Sequence, residues 1–461
     1  MVIILSIVSA TCPVQLDPVA YIPLAKKTAY TIQLSKAAKA GQDIYMNEYT
    51  KICNLPLARK LNHEITIKEI FINHWDEYLD YCKSKGIVLR DAIKINVDKM
   101  MNCKNLKNGY LFYTCPDCNN IHIQGLSCHS RFCVSCGKKY RDARALEISR
   151  TCIRAPHRHI TWTISDSLRA YFEKYPQLYD ELFSAVNDTL KYIVIKNNKK
   201  AKKMNKQLGF ISTIHTFGRD MKFNPHIHTL VAECTIDKDG KKESFTHFDY
   251  QLLRKSFMNQ LLKRLQTFLK EHSTKTEYNN FFSIKNFLYK TYDNGFYVHA
   301  PQINVKGVKN IKRIVNYVCR YAGHPAMSES RIIKYDKENK MIHYYYDPHE
   351  DDCIVSDAKK IGRQYVSESI FEFFEKLIVH IPEEAVHTTR YYGFYANHSS
   401  FDINNYDKLY NENEIKIMRK YLNWRDRLIQ SYKYDPVICH CGSEMVLSKE
   451  FSYFPGYGKD G

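Results

Sequence analysis

Six of the fifteen cysteines lie within 34 consecutive residues, and this cluster limits what the segment can fold into more than any other feature of the sequence. They are Cys103, Cys115, Cys118, Cys128, Cys133 and Cys136. Disulfides are typical of small secreted domains, whereas cysteine pairs two residues apart are typical of structural zinc in a reducing compartment. The sequence therefore predicts a small zinc module in this stretch.

Two cysteine pairs have the two-residue spacer that lets both thiolates reach one ion. They are Cys115 with Cys118, and Cys133 with Cys136. Because zinc prefers four tetrahedral ligands, we expect both pairs to bind one structural zinc ion. Cys103 and Cys128 are left over. They either belong to a second site, with His122 or His129, or are ordinary thiols beside the module.

The charge of the chain favours a polyanionic partner. The 461 residues include 68 Lys and Arg against 49 Asp and Glu, a formal net charge of +19 at pH 7. Nucleic acid is the simplest partner, although a lysine-rich composition alone would also give this charge. Hydrophobic residues make up 44% of the chain, as in globular proteins, which excludes disorder for most of it. No apolar run approaches the ~20 residues that a membrane span needs.

Sequence periodicity divides the chain into four segments. Residues 1–60 lack the positive start of a signal peptide, and we expect a poorly ordered leader. The first ~45 residues, before Met46, are either part of this leader or the result of an over-long start. Residues 61–150 contain the cysteine cluster and apolar residues at helical spacing, which predict helices over residues 65–82 and 89–101. Residues 151–400 alternate strand and helix patterns, with helices predicted over residues 167–197 and 367–380 among them. This alternation predicts an α+β fold. Residues 401–461 are expected to form a C-terminal helix and a short cysteine knuckle.

A His-hydrophobe-His strand is the most informative stretch of the sequence. His226 and His228 point to one face because side chains alternate along a strand, so both imidazoles can bind one divalent cation. His215, on the preceding predicted strand, is either a third metal ligand or a hydrogen-bonded core histidine. A second such pair, His157 and His159, is expected to be in the core or to face DNA.

Two tyrosines follow on a basic helix predicted over residues 308–321. Tyr317 and Tyr321 are four residues apart and so lie on one helical face. This spacing is common in a chain with 35 tyrosines. The pair stands out by its basic helix and by its position after the histidine strand. A tyrosine beside a metal ion and a phosphate can act as a nucleophile and form a covalent phosphotyrosine.

The order of these motifs resembles a known family. After the cysteine cluster come HITWTI, IHTFG, NPHIHTLV, NYVCRYAGHPAMSESRI and TTRYYGF. Together they resemble the two-tyrosine HUH transposases of rolling-circle insertion sequences, which have an N-terminal zinc-binding domain. The resemblance spans residues 65–445 and implies an HUH-type antiparallel sheet flanked by helices. It implies Tyr317 and Tyr321 as nucleophiles, and His226 and His228 as ligands of Mg²⁺ or Mn²⁺.

The resemblance also implies a reaction and a place in the cell. Such a protein cuts single-stranded DNA at the ends of its element, keeps the 5′ end on tyrosine and rejoins strands. We expect it in the bacterial cytoplasm, associated with the nucleoid through DNA, with a second copy of the chain as a further partner. One departure is the C-terminal Cys439-x-Cys441, where Cys-x2-Cys is usual; it makes only half a metal site.

Two other functions are compatible with the same residues. A plasmid or phage replication initiator, or a relaxase, would use the same histidine strand and tyrosines. A non-enzymatic zinc-containing DNA-binding protein would explain the charge and the cysteines, and would leave the histidine and tyrosine pairs without a role.

Overall fold

The structure is a computed structural model that describes much of the chain between residues 65 and 454. The residues left out within these limits are 197–198, 200–202, 246–247, 301–310, 313–314, 317–324, 349–361, 385, 398, 400–402, 404–405 and 421–422. The expected leader of residues 1–60 and the tyrosines Tyr317 and Tyr321 lie outside the described residues. Among the described helices, none combines the length and the apolar character that crossing a membrane requires.

Helices and strands alternate along the described chain. The α-helices are α1 (Ile67–Ser84), α2 (Asp91–Met101), α3 (Val134–Thr151), α4 (Asp166–Lys174), α5 (Leu178–Lys191), α6 (Tyr250–His272), α7 (Lys275–Thr291), α8 (Ile370–Ile378), α9 (Glu412–Lys420) and α10 (Trp424–Tyr432). The strands are β1 (Tyr110–Thr114), β2 (Ile121–Gly125), β3 (His157–Thr163), β4 (Gln207–Phe217), β5 (Phe223–Ile236), β6 (Lys242–Ser244), β7 (Val298–His299), β8 (Ile332–Asp336), β9 (Met341–Tyr346), β10 (Gln364–Ser369), β11 (Thr389–Tyr392) and β12 (Val446–Tyr453). The predicted α+β fold is confirmed.

The chain divides into two compact units. The cysteine-rich unit comprises the described residues up to Tyr140, Ser328–Ser330 and those from Lys420 onward. The sheet unit comprises Arg141–Met327 and Arg331–Arg419. The residues after Lys420 thus fold with the cysteine cluster and not as a separate C-terminal segment.

The cysteine-rich unit combines α1 and α2 with a three-stranded antiparallel sheet. Helix α1 begins at a Thr66 cap, whose hydroxyl accepts a hydrogen bond from the Glu69 N–H at 3.2 Å, and it buries an aromatic stripe that includes Phe71 and Trp75. The sheet has the order β12-β1-β2. Its first strand, β1, is central and pairs with a strand from the far end of the chain: Thr114 lies opposite Val446.

The sheet unit is built on an antiparallel sheet with the order β11-β4-β5-β3-β7, and β6 also pairs with β5. One face packs against α4, α5, α6 and α7 through a core that includes Trp162, Phe210 and Ile227. Because residues alternate along a strand, the neighbours of these residues point to the other face. The sheet is antiparallel and flanked by helices, as predicted, and its other face has a separate set of contacts.

The second face of the sheet has its own covering. Ile211 and Leu230 lie on this face and form a core with the C-terminal half of α3, with α9 and with Ile311 and Val315. His215, His226 and His228 follow the same alternation and lie on this second face, beyond the apolar part. We call this second face of the sheet the histidine face.

The motif TTRYYGF fixes the edge of the sheet. Its residues Thr389–Tyr392 form β11, which pairs with β4. Gly393 then turns with φ +59°, and a side chain there would overlap the carbonyl oxygen of Leu208. Phe394 packs directly on Gly209, where a Cβ would overlap the phenyl ring. Glycine at both positions therefore lets Phe394 lie against the backbone of β4.

Several element boundaries differ from the sequence prediction. The helix expected over residues 167–197 is interrupted at Pro176, because the residue before a proline is disfavoured in helical geometry. The region expected as one helix over residues 367–380 starts as β10, which forms a small sheet with β9 and β8 before α8 begins. Helix α7 was not predicted from the sequence, because Phe281 and Leu288 are its only fully buried apolar residues and form no apolar stripe.

Candidate metal centres

A tight β-hairpin brings three histidines together on the histidine face. His215 of β4 lies directly opposite His226 of β5, and His228 lies opposite Thr213, two residues further along. The three side chains are almost completely buried. Each offers one ring nitrogen, and the three nitrogens lie within 4.8 Å of one another. The sequence proposed His215 as a third ligand if the connecting turn was tight, and the structure places it in that position.

Hydrogen bonds fix the orientation of two of the three rings. The Nδ1–H of His226 donates to the carbonyl oxygen of Asn224 at 2.7 Å, which leaves Nε2 as the lone-pair nitrogen. Nδ1 of His228 lies 2.9 Å from Nε2 of His159 and 3.3 Å from the hydroxyl of Thr161. With Nδ1–H donating to His159, Nε2 of His228 also carries a lone pair. Such outer hydrogen bonds orient metal-binding histidines and raise their basicity.

The histidine cluster favours neutral rings. Burial, and then the neighbouring His215 and His226, lower the pKa of His228 well below its ordinary value. A neutral imidazole is the form that binds a metal ion. The cluster therefore fits a divalent cation in its donor chemistry.

The other His-x-His pair does not join the cluster as ligands. His157 is buried; its Nε2 lies 2.7 Å from the Tyr395 hydroxyl and its Nδ1 lies 2.8 Å from the Ala155 carbonyl oxygen. Burial lowers its pKa to about 4. His159 contacts His228, as described above. The sequence did not predict that His159 would orient His228. Only the pairing of β3 with β5 could have indicated this role.

Four cysteines form a first sulfur cluster in the cysteine-rich unit. Cys103, Cys128, Cys133 and Cys136 have sulfur atoms within 4.8 Å of one another. The Cys103 and Cys128 sulfurs lie 3.7 and 3.6 Å from that of Cys136. Four thiolates at 2.3 Å from a tetrahedral zinc lie about 3.8 Å apart, so these distances fit zinc. The N-terminus of α3, where Cys136 lies, favours negative charge.

A second sulfur cluster uses the other predicted pair. Cys115 and Cys118 lie with Cys439 and Cys441, and these four sulfur atoms also fall within 4.8 Å of one another. The predicted pairing of Cys115 and Cys118 with Cys133 and Cys136 around one ion is therefore wrong. The reason is that the strand pairing of β1 with β12 brings the C-terminal cysteines to the first pair.

The histidines considered as companions of Cys103 and Cys128 are not in either sulfur cluster. His122 is buried in β2 and stacks on Tyr113 with ring centroids 6.1 Å apart. Burial lowers its pKa to about 4, which is typical of a core histidine. His129 lies in the loop before α3 with φ 57°.

The predicted nucleophiles Tyr317 and Tyr321 lie outside the described residues. The residues just before them are described. Ile311 and Val315 are buried in the core of the histidine face. The side-chain oxygen of Asn316 accepts hydrogen bonds from the Ser149 and Tyr410 hydroxyls, at 3.1 and 3.0 Å.

Comparison with known proteins agrees with this arrangement. Residues 70–164 match a family described as "Transposase zinc-binding domain", and residues 209–401 match one described as "Putative transposase". The second range contains the histidine cluster. No solved structure gives a significant match.

Two curated relatives each match about two thirds of the chain. The transposase for insertion sequence element IS801 of Pseudomonas savastanoi pv. phaseolicola is 27% identical over 320 residues, which are 67% of this chain and 72% of the relative. "Putative transposase y4qJ" of Sinorhizobium fredii (strain NBRC 101917 / NGR234) is 24% identical over 310 residues, which are 64% of this chain and 72% of the relative.

The sheet with the buried histidine cluster lies in the region that matches the transposase family, and the cysteine clusters fit the match to a transposase zinc-binding domain. The chain is similar to transposases of the IS91 and IS801 type in both its zinc-binding region and its sheet region. It is therefore a DNA-acting protein with a structural zinc-binding domain.

Proposed function

We propose that this transposase nicks and rejoins single-stranded DNA at the ends of its insertion sequence, with Tyr317 and Tyr321 as nucleophiles. A divalent cation would be held by His215, His226 and His228. The observation that supports the proposal is the convergence of three buried imidazoles on one sheet face, inside the region that matches the transposase family. The zinc of the cysteine clusters would be structural, since four thiolates leave no open position for a reacting group.

The donor set bears on the identity of the ion. Three neutral nitrogens leave coordination positions for phosphate oxygens. Between the two expected cations, nitrogen donors favour Mn²⁺, because Mg²⁺ prefers an oxygen shell. When bound, the ion would polarise a scissile phosphate and offset its charge.

The proposed step exchanges one phosphodiester bond for another. The phenol oxygen of one tyrosine loses its proton and attacks the phosphorus. The bond from phosphorus to the 3′ oxygen breaks, and that oxygen takes up a proton. The 5′ end then stays on tyrosine as a phosphodiester, which a 3′-hydroxyl can attack in the reverse direction to rejoin strands. A second tyrosine would allow a second cut before the first is resolved.

The described residues support this assignment through the segment before Tyr317. Ile311 and Val315 belong to the core of the histidine face. Two hydrogen bonds hold the side chain of Asn316, which directly precedes Tyr317. The basic charge of the chain, +19, suits a polyanionic substrate.

A covalent-adduct assay tests the proposal. The full-length protein is incubated with Mn²⁺ and labelled single-stranded oligonucleotides of the element ends, and the attachment site is mapped by mass spectrometry. We expect a DNA adduct on Tyr317 or Tyr321. The adduct should be absent in the double variant Tyr317→Phe/Tyr321→Phe and in His226→Ala/His228→Ala.

The matched control is Tyr365→Phe, because this tyrosine is 71% exposed and lies on β10, outside the proposed site. Its adduct yield should equal that of the wild type. An adduct that persists in the double tyrosine variant, or DNA binding without any adduct in the wild type, would contradict the proposed chemistry.

A further inference from the structure

We infer that the cysteine-rich unit binds a second zinc ion, held by Cys115, Cys118, Cys439 and Cys441, so that two segments more than 300 residues apart together complete one metal site. The matched zinc-binding family spans residues 70–164 and does not include the C-terminal pair. The first cluster lies entirely within that span. The inference concerns metal content and does not rest on the proposed nicking reaction.

The sulfur geometry fits a tetrahedral zinc. The Cys115 sulfur lies 3.5 Å from that of Cys441, and the Cys118 sulfur lies 3.4 Å from that of Cys439. Four thiolates around one zinc lie about 3.8 Å apart. All four cysteines are free of disulfides. Both sulfur–sulfur distances exceed the 2.05 Å of a disulfide bond. Each distance joins one cysteine of the first pair to one cysteine of the second pair, and their similar length suits one ion shared by four sulfurs better than two separate bonds.

Each cysteine pair lies in a tight turn. In the first turn, the N–H of Asn119 donates to the Cys115 carbonyl oxygen at 3.0 Å, and Asn119 has φ 56°. In the second, the N–H of Gly442 donates to the Cys439 carbonyl oxygen at 2.9 Å, and Gly442 has φ 93°. The left-handed residue after each pair lets a Cys-x-Cys turn present its sulfurs in the same way as a Cys-x2-Cys turn.

Polar groups surround these sulfurs as they surround metal-bound thiolates. The side-chain amide of Asn120 donates to the Cys439 sulfur at 3.7 Å. Donors to sulfur stabilise the thiolate, which is the form that binds zinc.

The surrounding packing holds the C-terminal turn in place. Cys439 is buried in a small core with Tyr113, Val437 and Met445. Arg425 of α10 donates to both carboxylate oxygens of Asp435 at 2.9 to 3.0 Å, just before the turn. Strand β12 then continues along β1. The site is therefore supported by a strand, a helix and a core, and not by a free tail.

The test is the zinc content of the full-length protein. Elemental analysis should give two zinc ions per chain for the wild type and one for Cys439→Ser/Cys441→Ser. The matched control is Cys82→Ala, a buried cysteine of the same unit that belongs to neither cluster; it should keep two ions. One zinc in the wild type, or two in the Cys439→Ser/Cys441→Ser variant, would overturn the inference.

A measurement on the wild type alone covers the case in which the variant does not fold. Cobalt titration of the metal-free full-length chain should saturate the thiolate charge-transfer absorption at two equivalents. Saturation at one equivalent would overturn the inference. Neither readout uses DNA, so failure here and failure of the nicking proposal are distinguishable.

Discussion

Replacing His159 by phenylalanine should weaken binding of the divalent cation without removing any of its proposed ligands. Nε2 of His159 lies 2.9 Å from Nδ1 of His228 and accepts a hydrogen bond when Nδ1 carries the hydrogen. His228 is only 2% exposed, so water cannot replace the lost partner. Loss of such an outer hydrogen bond costs 10- to 100-fold in metal affinity, or about 1.4 to 2.7 kcal/mol. Phenylalanine keeps the ring against His228, where the ring centroids lie 5.1 Å apart.

The size of the effect depends on a neighbouring hydroxyl. Thr161 lies 3.3 Å from the same nitrogen and can accept part of the hydrogen bond. We therefore expect His159→Phe near the lower end of the range, about 10-fold, and His159→Phe/Thr161→Val near 100-fold. Mn²⁺ affinity is measured by calorimetry on the zinc-loaded protein, with circular dichroism to check the fold.

The same strand supplies the control. His157→Phe changes the same residue type, two positions earlier, at a ring that contacts Tyr395 and not the histidine cluster. Its Mn²⁺ affinity should stay within about two-fold of the wild type. Unchanged affinity in the folded His159→Phe protein, or equal losses in both variants, would refute the orienting role of His159.

Three further predictions concern the fold and its metal. Gly393→Ala should lower the free energy of unfolding by at least ~1 kcal/mol, since an alanine at φ +59° is strained; Gly362→Ala, in open space, should change it little in the same urea titration. Cys133→Ser should reduce the zinc content by one ion, whereas Cys152→Ser should not. Burial raises the pKa of Glu329 to about 7, above an ordinary ~4.3, so the folded state holds this proton more tightly than the unfolded state. Stability should fall by up to ~3 kcal/mol between pH 4 and pH 7, and Glu329→Gln, measured by urea unfolding at several pH values, should lose this decrease.

The sequence alone was sufficient for the elements with strong periodicity. The strand that contains His226 and His228 was expected from alternation, and β5 contains it. Helix α1 was expected from apolar residues at helical spacing, and it begins and ends within two residues of the predicted limits. Both patterns are local, because a side chain's direction within a strand or helix depends only on its position along that element.

The tertiary structure alone decided which distant residues meet. Two cysteine pairs separated by 14 residues looked like one site, yet each pair found other partners, and for Cys115 and Cys118 those partners lie more than 300 residues away. His159 likewise acquired its contact with His228 through the pairing of β3 with β5. Spacing along the chain determines whether two nearby sulfurs or two nearby rings point in the same direction. Strand pairing, which is driven by burial of both sheet faces, determines which distant residues they meet.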